Sequence, residues 1–115
     1  MQDTAHRLLI IDDDEVFCHV LERAMQRRGH EVEVAHDATQ ALELARRHQP
    51  EVATLDLKLD QDSGLKLLPE LLEVVPDCRI VVLTGYSSIA TAVEAIKLGA
   101  FNYLCKPVDA DEVLS

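Results

Sequence analysis

Short runs of aliphatic and β-branched residues recur along this chain at near-regular intervals, and each is followed by a stretch whose apolar residues return at helical spacing. The runs are RLLII (7–11), EVEVA (31–35), EVATLD (51–56), RIVVLT (79–84) and FNYLC (101–105), and their length and content read as strands. Val16, Phe17, Val20, Leu21, Ala24 and Met25 then form an apolar stripe, with Asp14 placed to cap it and Gly29 to end it. Asp37 caps a second stripe of Ala38, Ala41, Leu42 and Ala45, with Pro50 beyond. After a polar loop, KLDQDSG (58–64), the third stripe is Leu65, Leu67, Leu68, Leu71, Leu72 and Val75. Pro69 lies within it and predicts a kink, because proline has no backbone N–H to give. Ile89, Ala92, Val93 and Ile96 form a fourth, ending at Gly99, and residues 109–115 begin a fifth helical pattern that is cut short. The order is therefore βαβαβαβαβ(α). Units of this kind cross over right-handedly, so the pattern predicts a parallel sheet covered by helices on both faces.

With 115 residues there is room for one domain. Aromatic residues are only 3%, which leaves an aliphatic core. A net charge of −10 opposes direct contact with phosphate backbones and argues against nucleic-acid binding by these residues. The N-terminal MQDTAHR has no apolar signal segment, and no apolar run is long enough to cross a bilayer. Cys18, Cys78 and Cys105 are far apart and lack zinc spacing, so they read as reduced thiols with packing roles in a cytoplasmic protein. Cys105, beside Lys106, is the one whose reactivity is worth testing.

In sheets of this type ligands gather at the carboxyl ends of the strands. The first strand ends in Asp12 and Asp13, the third in Asp56, the fourth in Thr84 followed by Gly85, and the fifth runs into Lys106 and Pro107. Carboxylates brought together repel one another, and a hard divalent cation with oxygen ligands, for which Mg²⁺ is suited, relieves that conflict. A plainer account makes the acids of LLIIDDDE (8–15) a helix cap and acidic first turn. It serves for Asp14 and Glu15 but leaves Asp56, Thr84 and Lys106 at three other strand ends unexplained.

IIDDD (10–14), Asp56 with Gly64 after it, LTGY (83–86) and YLCKP (103–107) together resemble the receiver domain of two-component response regulators, over essentially the whole chain. The stretch LTGYSSIATAVEAIKLGAFNYLCKPVDADEV is similar to the RegA/PrrA/ActR type of redox-responsive global regulators, in which a Fis-like helix-turn-helix follows the receiver. The resemblance implies a flavodoxin-like three-layer α/β sandwich, with a five-stranded parallel sheet in the order 2-1-3-4-5. Residues 1–115 would be the receiver, with a truncated fifth helix and a DNA-binding output domain absent from this chain. By the same resemblance Asp56 accepts a phosphoryl group from a sensor histidine kinase. Asp13 binds Mg²⁺ directly, Asp12 acts through the ion's water shell, and Asp56 and the backbone carbonyl of Lys58 complete the metal site. Lys106 neutralises the phosphoryl oxygens, Thr84 bonds the phosphoryl group after transfer, and Tyr103 rotates into the space that Thr84 vacates. The Lys106–Pro107 bond is expected to be cis. Implied partners are the kinase and, on phosphorylation, a second copy; DNA is reached only through the absent domain, and no membrane is involved.

Departures from the family pattern are Asp60, where many receivers have proline and which suggests a looser 57–63 loop, and Cys105, where a small apolar residue is commoner. Lys58 and Tyr86 stand two residues beyond Asp56 and Thr84, where they are expected to tune phosphoryl lifetime. A stand-alone phosphorelay carrier is the alternative reading. A phosphatase of the haloacid-dehalogenase kind would need an acid at position 58, which is lysine, and four acids after strand one would repel the phosphate of a flavodoxin-like ligand.

Overall fold

A computed structural model describes residues 5–58, 64–85, 89–106 and 108–114. The elements alternate as the sequence pattern predicts: β1 (Arg7–Ile11), α1 (Glu15–Arg27), β2 (Glu31–Ala35), α2 (Ala38–His48), β3 (Val52–Asp56), α3 (Gly64–Val74), β4 (Arg79–Thr84), α4 (Ile89–Lys97), β5 (Asn102–Cys105) and α5 (Ala110–Leu114). The five strands are parallel, in the order β2-β1-β3-β4-β5. Ile11 stands opposite Ala35 and Leu55, Asp56 opposite Leu83, and Thr84 opposite Cys105, so the carboxyl ends form one edge.

Alternation along the strands divides the core into two layers. Leu9, Ile11, Ala53, Leu55, Ile80 and Val82 face Ala41 and Ala45 of α2, Leu67, Leu68 and Leu71 of α3, and Ala95 of α4. Leu8, Ile10 and Val52 face Cys18, Leu21 and Met25 of α1 and Ala110 and Val113 of α5. β1 and β3 lie inside the sheet under helices on both sides, which is why their runs are apolar without alternation.

Helix starts follow the caps read from sequence. The Asp14 carboxylate accepts from Phe17 N–H at 3.1 Å, and that of Asp37 from Gln40 N–H at 2.8 Å. α5 has a reciprocal cap that the sequence reading did not pick out. Glu112 N–H donates to Asp109 Oδ1 at 2.9 Å, and Asp109 N–H to Glu112 Oε1 at 3.1 Å. α3 runs on through Pro69, which lies on its exposed side, so the lost backbone bond does not end the helix.

The burial of α1 corrects the sequence reading. Val16 and Val20 are 74% and 63% exposed, whereas Cys18, Leu21 and Met25 are buried. At about 100° per residue, Val16 and Val20 point almost opposite Cys18. The helix therefore packs through the stripe containing Cys18 and leaves two valines on its outer side. α4 behaves similarly: Ala92 and Ala95 are buried, while Val93 and Ile96 are exposed. The small alanines let that helix lie close to the sheet.

Cysteine environments differ sharply. Burial pushes the thiols of Cys18 and Cys78 up to about 12, while Cys105 is exposed on the edge strand β5. A thiol reagent at neutral pH is expected to modify only Cys105 in the native protein and all of the cysteines in denaturant, with Cys105→Ser removing the native reaction. Rapid native modification of Cys18 or Cys78, read by peptide mass mapping, would contradict this packing.

Candidate functional site

Asp12 follows β1, and its N–H donates to Ala35 O at 3.0 Å, one rung beyond the strand pair. Its carboxylate is fully enclosed: Oδ1 accepts from Asp14 N–H at 2.9 Å and Oδ2 from Lys106 Nζ at 2.6 Å. Asp56 ends β3 and is also buried; its Oδ1 accepts from Lys58 N–H at 3.0 Å, and its Oδ2 lies 3.5 Å from Lys106 Nζ. Asp13 is exposed beside them, and carboxylate oxygens of Asp12, Asp13 and Asp56 lie within 4.8 Å of one another. The structure thus brings together four of the residues singled out in the sequence.

Lys106 is held at both ends. Its N–H donates to Thr84 O at 2.8 Å, fixing the end of β5 to the end of β4, and its ammonium lies 4.4 Å from the centroid of the Phe17 ring. The hydrogen bond from the Lys58 N–H to Asp56 Oδ1 places the Lys58 peptide against the cluster. Thr84, half-buried, is the last residue of β4. Tyr103 is exposed on β5, opposite Val82. Pro107, Asp60 and Tyr86 lie outside the described residues, and with them the cis-peptide and loop-mobility expectations and the one for Tyr86.

Burial is the main force on Asp12 and pushes its carboxyl above the ordinary range. Lys106 and the Asp14 N–H pull against this, while the charge of Asp56 adds to it. Burial alone would lower the Lys106 ammonium; the adjoining carboxylates outweigh it and hold the lysine above its usual value. One ammonium among three carboxylates leaves the cluster net negative. An all-oxygen donor set of this spacing and charge fits a hard divalent cation such as Mg²⁺.

Gly64 explains how α3 can begin so close to this site. A Cβ there would lie 2.6 Å from the Asp56 carbonyl oxygen and 2.8 Å from Leu57 Cα, both backbone atoms. Sequence reasoning missed the Phe17 ring over Lys106 and two side chains on the Asp12 carbonyl, Cys18 Sγ at 3.3 Å and His36 Nδ1 at 3.0 Å. The sequence pattern marks Phe17 and Cys18 only as packing residues, and nothing in it marks His36.

Residues 8–115 match the family model for the response regulator receiver domain. The chain belongs to that family. This receiver is 49% identical over 106 residues to the photosynthetic apparatus regulatory protein RegA of Cereibacter sphaeroides, covering 92% of this chain and 58% of RegA. It is 46% identical over 108 residues to the acid tolerance regulatory protein ActR of Rhizobium meliloti, covering 94% of this chain and 56% of ActR. The sequence-level likeness to the RegA/PrrA/ActR type agrees with these matches, and the receiver spans a little over half the length of each relative. Among solved structures, a response regulator protein from Burkholderia pseudomallei, crystallised with a phosphorylated aspartic acid, a calcium ion and citrate, superposes with a TM-score of 0.91 at 51% identity, covering 94% of this chain and 64% of that one.

Gly64→Ala is expected to destabilise the domain by about 1–3 kcal/mol, since neither backbone atom can yield without moving β3 or α3. Urea unfolding measures this; an unchanged midpoint would show that the approach of α3 to Asp56 is not tight.

Proposed function

We propose that this receiver takes a phosphoryl group onto Asp56 from a phosphohistidine of a sensor histidine kinase, and that the transfer switches a transcriptional output in a longer protein. The observation that carries this reading is the convergence of Asp12, Asp13, Asp56 and Lys106 on one edge of the sheet. A phosphorylated aspartic acid in the Burkholderia pseudomallei relative supports it.

In the proposed transfer Asp56 attacks through a carboxylate oxygen. The new P–O bond forms as the P–N bond breaks, and the electron pair leaves on the imidazole nitrogen of the kinase. Asp56 Oδ1 is already held by Lys58 N–H, which fixes the carboxylate plane, while Oδ2 faces the Lys106 ammonium. Lys106 offsets charge on the phosphoryl oxygens, so most of the catalysis is positioning and electrostatics. Asp13, Asp56 and the Lys58 carbonyl would hold Mg²⁺, with Asp12 acting through its waters, and the ion would supply further charge neutralisation at the same oxygens. The domain thus serves as a phosphoacceptor and acts only on its own phosphorylation state.

On this reading the hydroxyl of Thr84, at the end of β4, bonds the phosphoryl group once transfer is complete. Tyr103, exposed on the neighbouring strand, then turns inward, converting a local charge change into a changed β5 surface. On this reading the phosphorylated form pairs with a second copy, and DNA is contacted only by sequence beyond residue 115. Among the described residues no helix is long and apolar enough to cross a membrane; the setting proposed for the receiver, as the target of its kinase, is the cytoplasm. Were the native reading frame to end near Ser115, the phosphorelay-carrier reading would replace the output switch.

Incubation with acetyl phosphate and Mg²⁺ is expected to add one phosphoryl group to the parent and none to Asp56→Asn, as read by intact mass. An adduct that persists in the variant would remove Asp56 from this role. Lys58→Ala is expected to alter the lifetime of the adduct, and an autodephosphorylation rate equal to the parent's would refute that contribution.

A further inference from the structure

The ladder between β1 and β2 ends unusually. Asp12 N–H donates to Ala35 O, and in a parallel pair the next bond would run from the Asp37 N–H to the Asp12 carbonyl. The chain turns away there, because Asp37 is the N-cap of α2. Two side chains bond the Asp12 carbonyl: His36 Nδ1 at 3.0 Å and Cys18 Sγ at 3.3 Å. A carbonyl oxygen only accepts, so His36 carries a proton on Nδ1 and Cys18 donates as a thiol. His36 is itself tied down, its backbone N–H donating to Gln40 Oε1 at 2.8 Å.

This carbonyl belongs to the peptide that joins Asp12 to Asp13. Because the peptide is planar, fixing its oxygen fixes the direction in which both residues leave the strand, and so where their carboxylates point. α1 holds the oxygen through Cys18, and the β2–α2 connection holds it through His36. We propose that His36 and Cys18 are positioning residues, which clamp the Asp12–Asp13 peptide so that the two carboxylates form a preorganised site for a divalent cation. The proposal rests on reading the acidic cluster as a cation site. Neither side chain is a ligand; each acts through the peptide, as outer partners orient ligands in other metal sites, where their loss weakens affinity by about 10–100-fold.

The test is calorimetric titration of the folded protein with Mg²⁺ alone, without phosphoryl donor. His36→Leu removes the donor, whereas His36→Asn offers an amide N–H near the position of Nδ1. Mg²⁺ is expected to bind about tenfold more weakly to His36→Leu and close to normally to His36→Asn. A role in packing alone would not be rescued by asparagine. Should His36→Leu fail to fold, Cys18→Ala carries the same test with weakened binding expected. Parental affinity in folded His36→Leu, or in Cys18→Ala where that variant stands in for it, would overturn the proposal, as would asparagine being no better than leucine. A parent protein that binds no Mg²⁺ would instead overturn the cation-site reading beneath it.

Discussion

The contact between the Lys106 ammonium and the carboxylates of Asp12 and Asp56 governs the functional edge of this domain. Two like charges about 5 Å apart repel by about 3 kcal/mol at an effective dielectric of about 20. Three carboxylates in one small space therefore oppose folding unless something opposes them. A single lysine, arriving from the far side of the sequence, supplies part of that opposition and leaves an excess of negative charge. The excess is what suits the site to a hard divalent cation.

The remainder of the fold holds these groups in place. β1 and β3 are buried on both sides, so the backbone that carries Asp12 and Asp56 has little freedom to shift. The hydrogen bond from Lys106 N–H to the Thr84 carbonyl ties the lysine to the strand that carries the hydroxyl. Absence of a side chain at Gly64 lets α3 begin against the carbonyl of Asp56. Phe17 covers the ammonium from α1, keeping it directed at the acids. Rigid strand ends and a short-range charge balance leave the site few ways to adjust, which is what the proposed phosphoryl switch requires.

Much of this was legible before any coordinates. Strand runs, helix stripes and the caps at Asp14 and Asp37 follow from local chemistry, and the βα alternation leads directly to a parallel sheet. Acids and lysine at strand ends could be grouped because the topology itself brings those ends together. What escaped was whatever depends on helix rotation or on side chains meeting at a distance. Val16 and Val20 belong to an apolar pattern that is present in α1 but is not the face it buries, since Cys18 packs as a small hydrophobe at the true contact. His36 reaches the Asp12 carbonyl only because β2 diverges after Ala35, and no spacing rule encodes that divergence.

The most direct test of the account is paramagnetic broadening of assigned amide resonances by Mn²⁺ in place of Mg²⁺. If the acids and the lysine share one cation pocket, signals from residues 12–14, 56–58, 84–85 and 105–106 broaden together at low metal occupancy, and those at the opposite strand ends, near His6, His30 and Glu51, stay sharp. Broadening centred on any other part of the molecule, or spread evenly over its acidic surface, would contradict it.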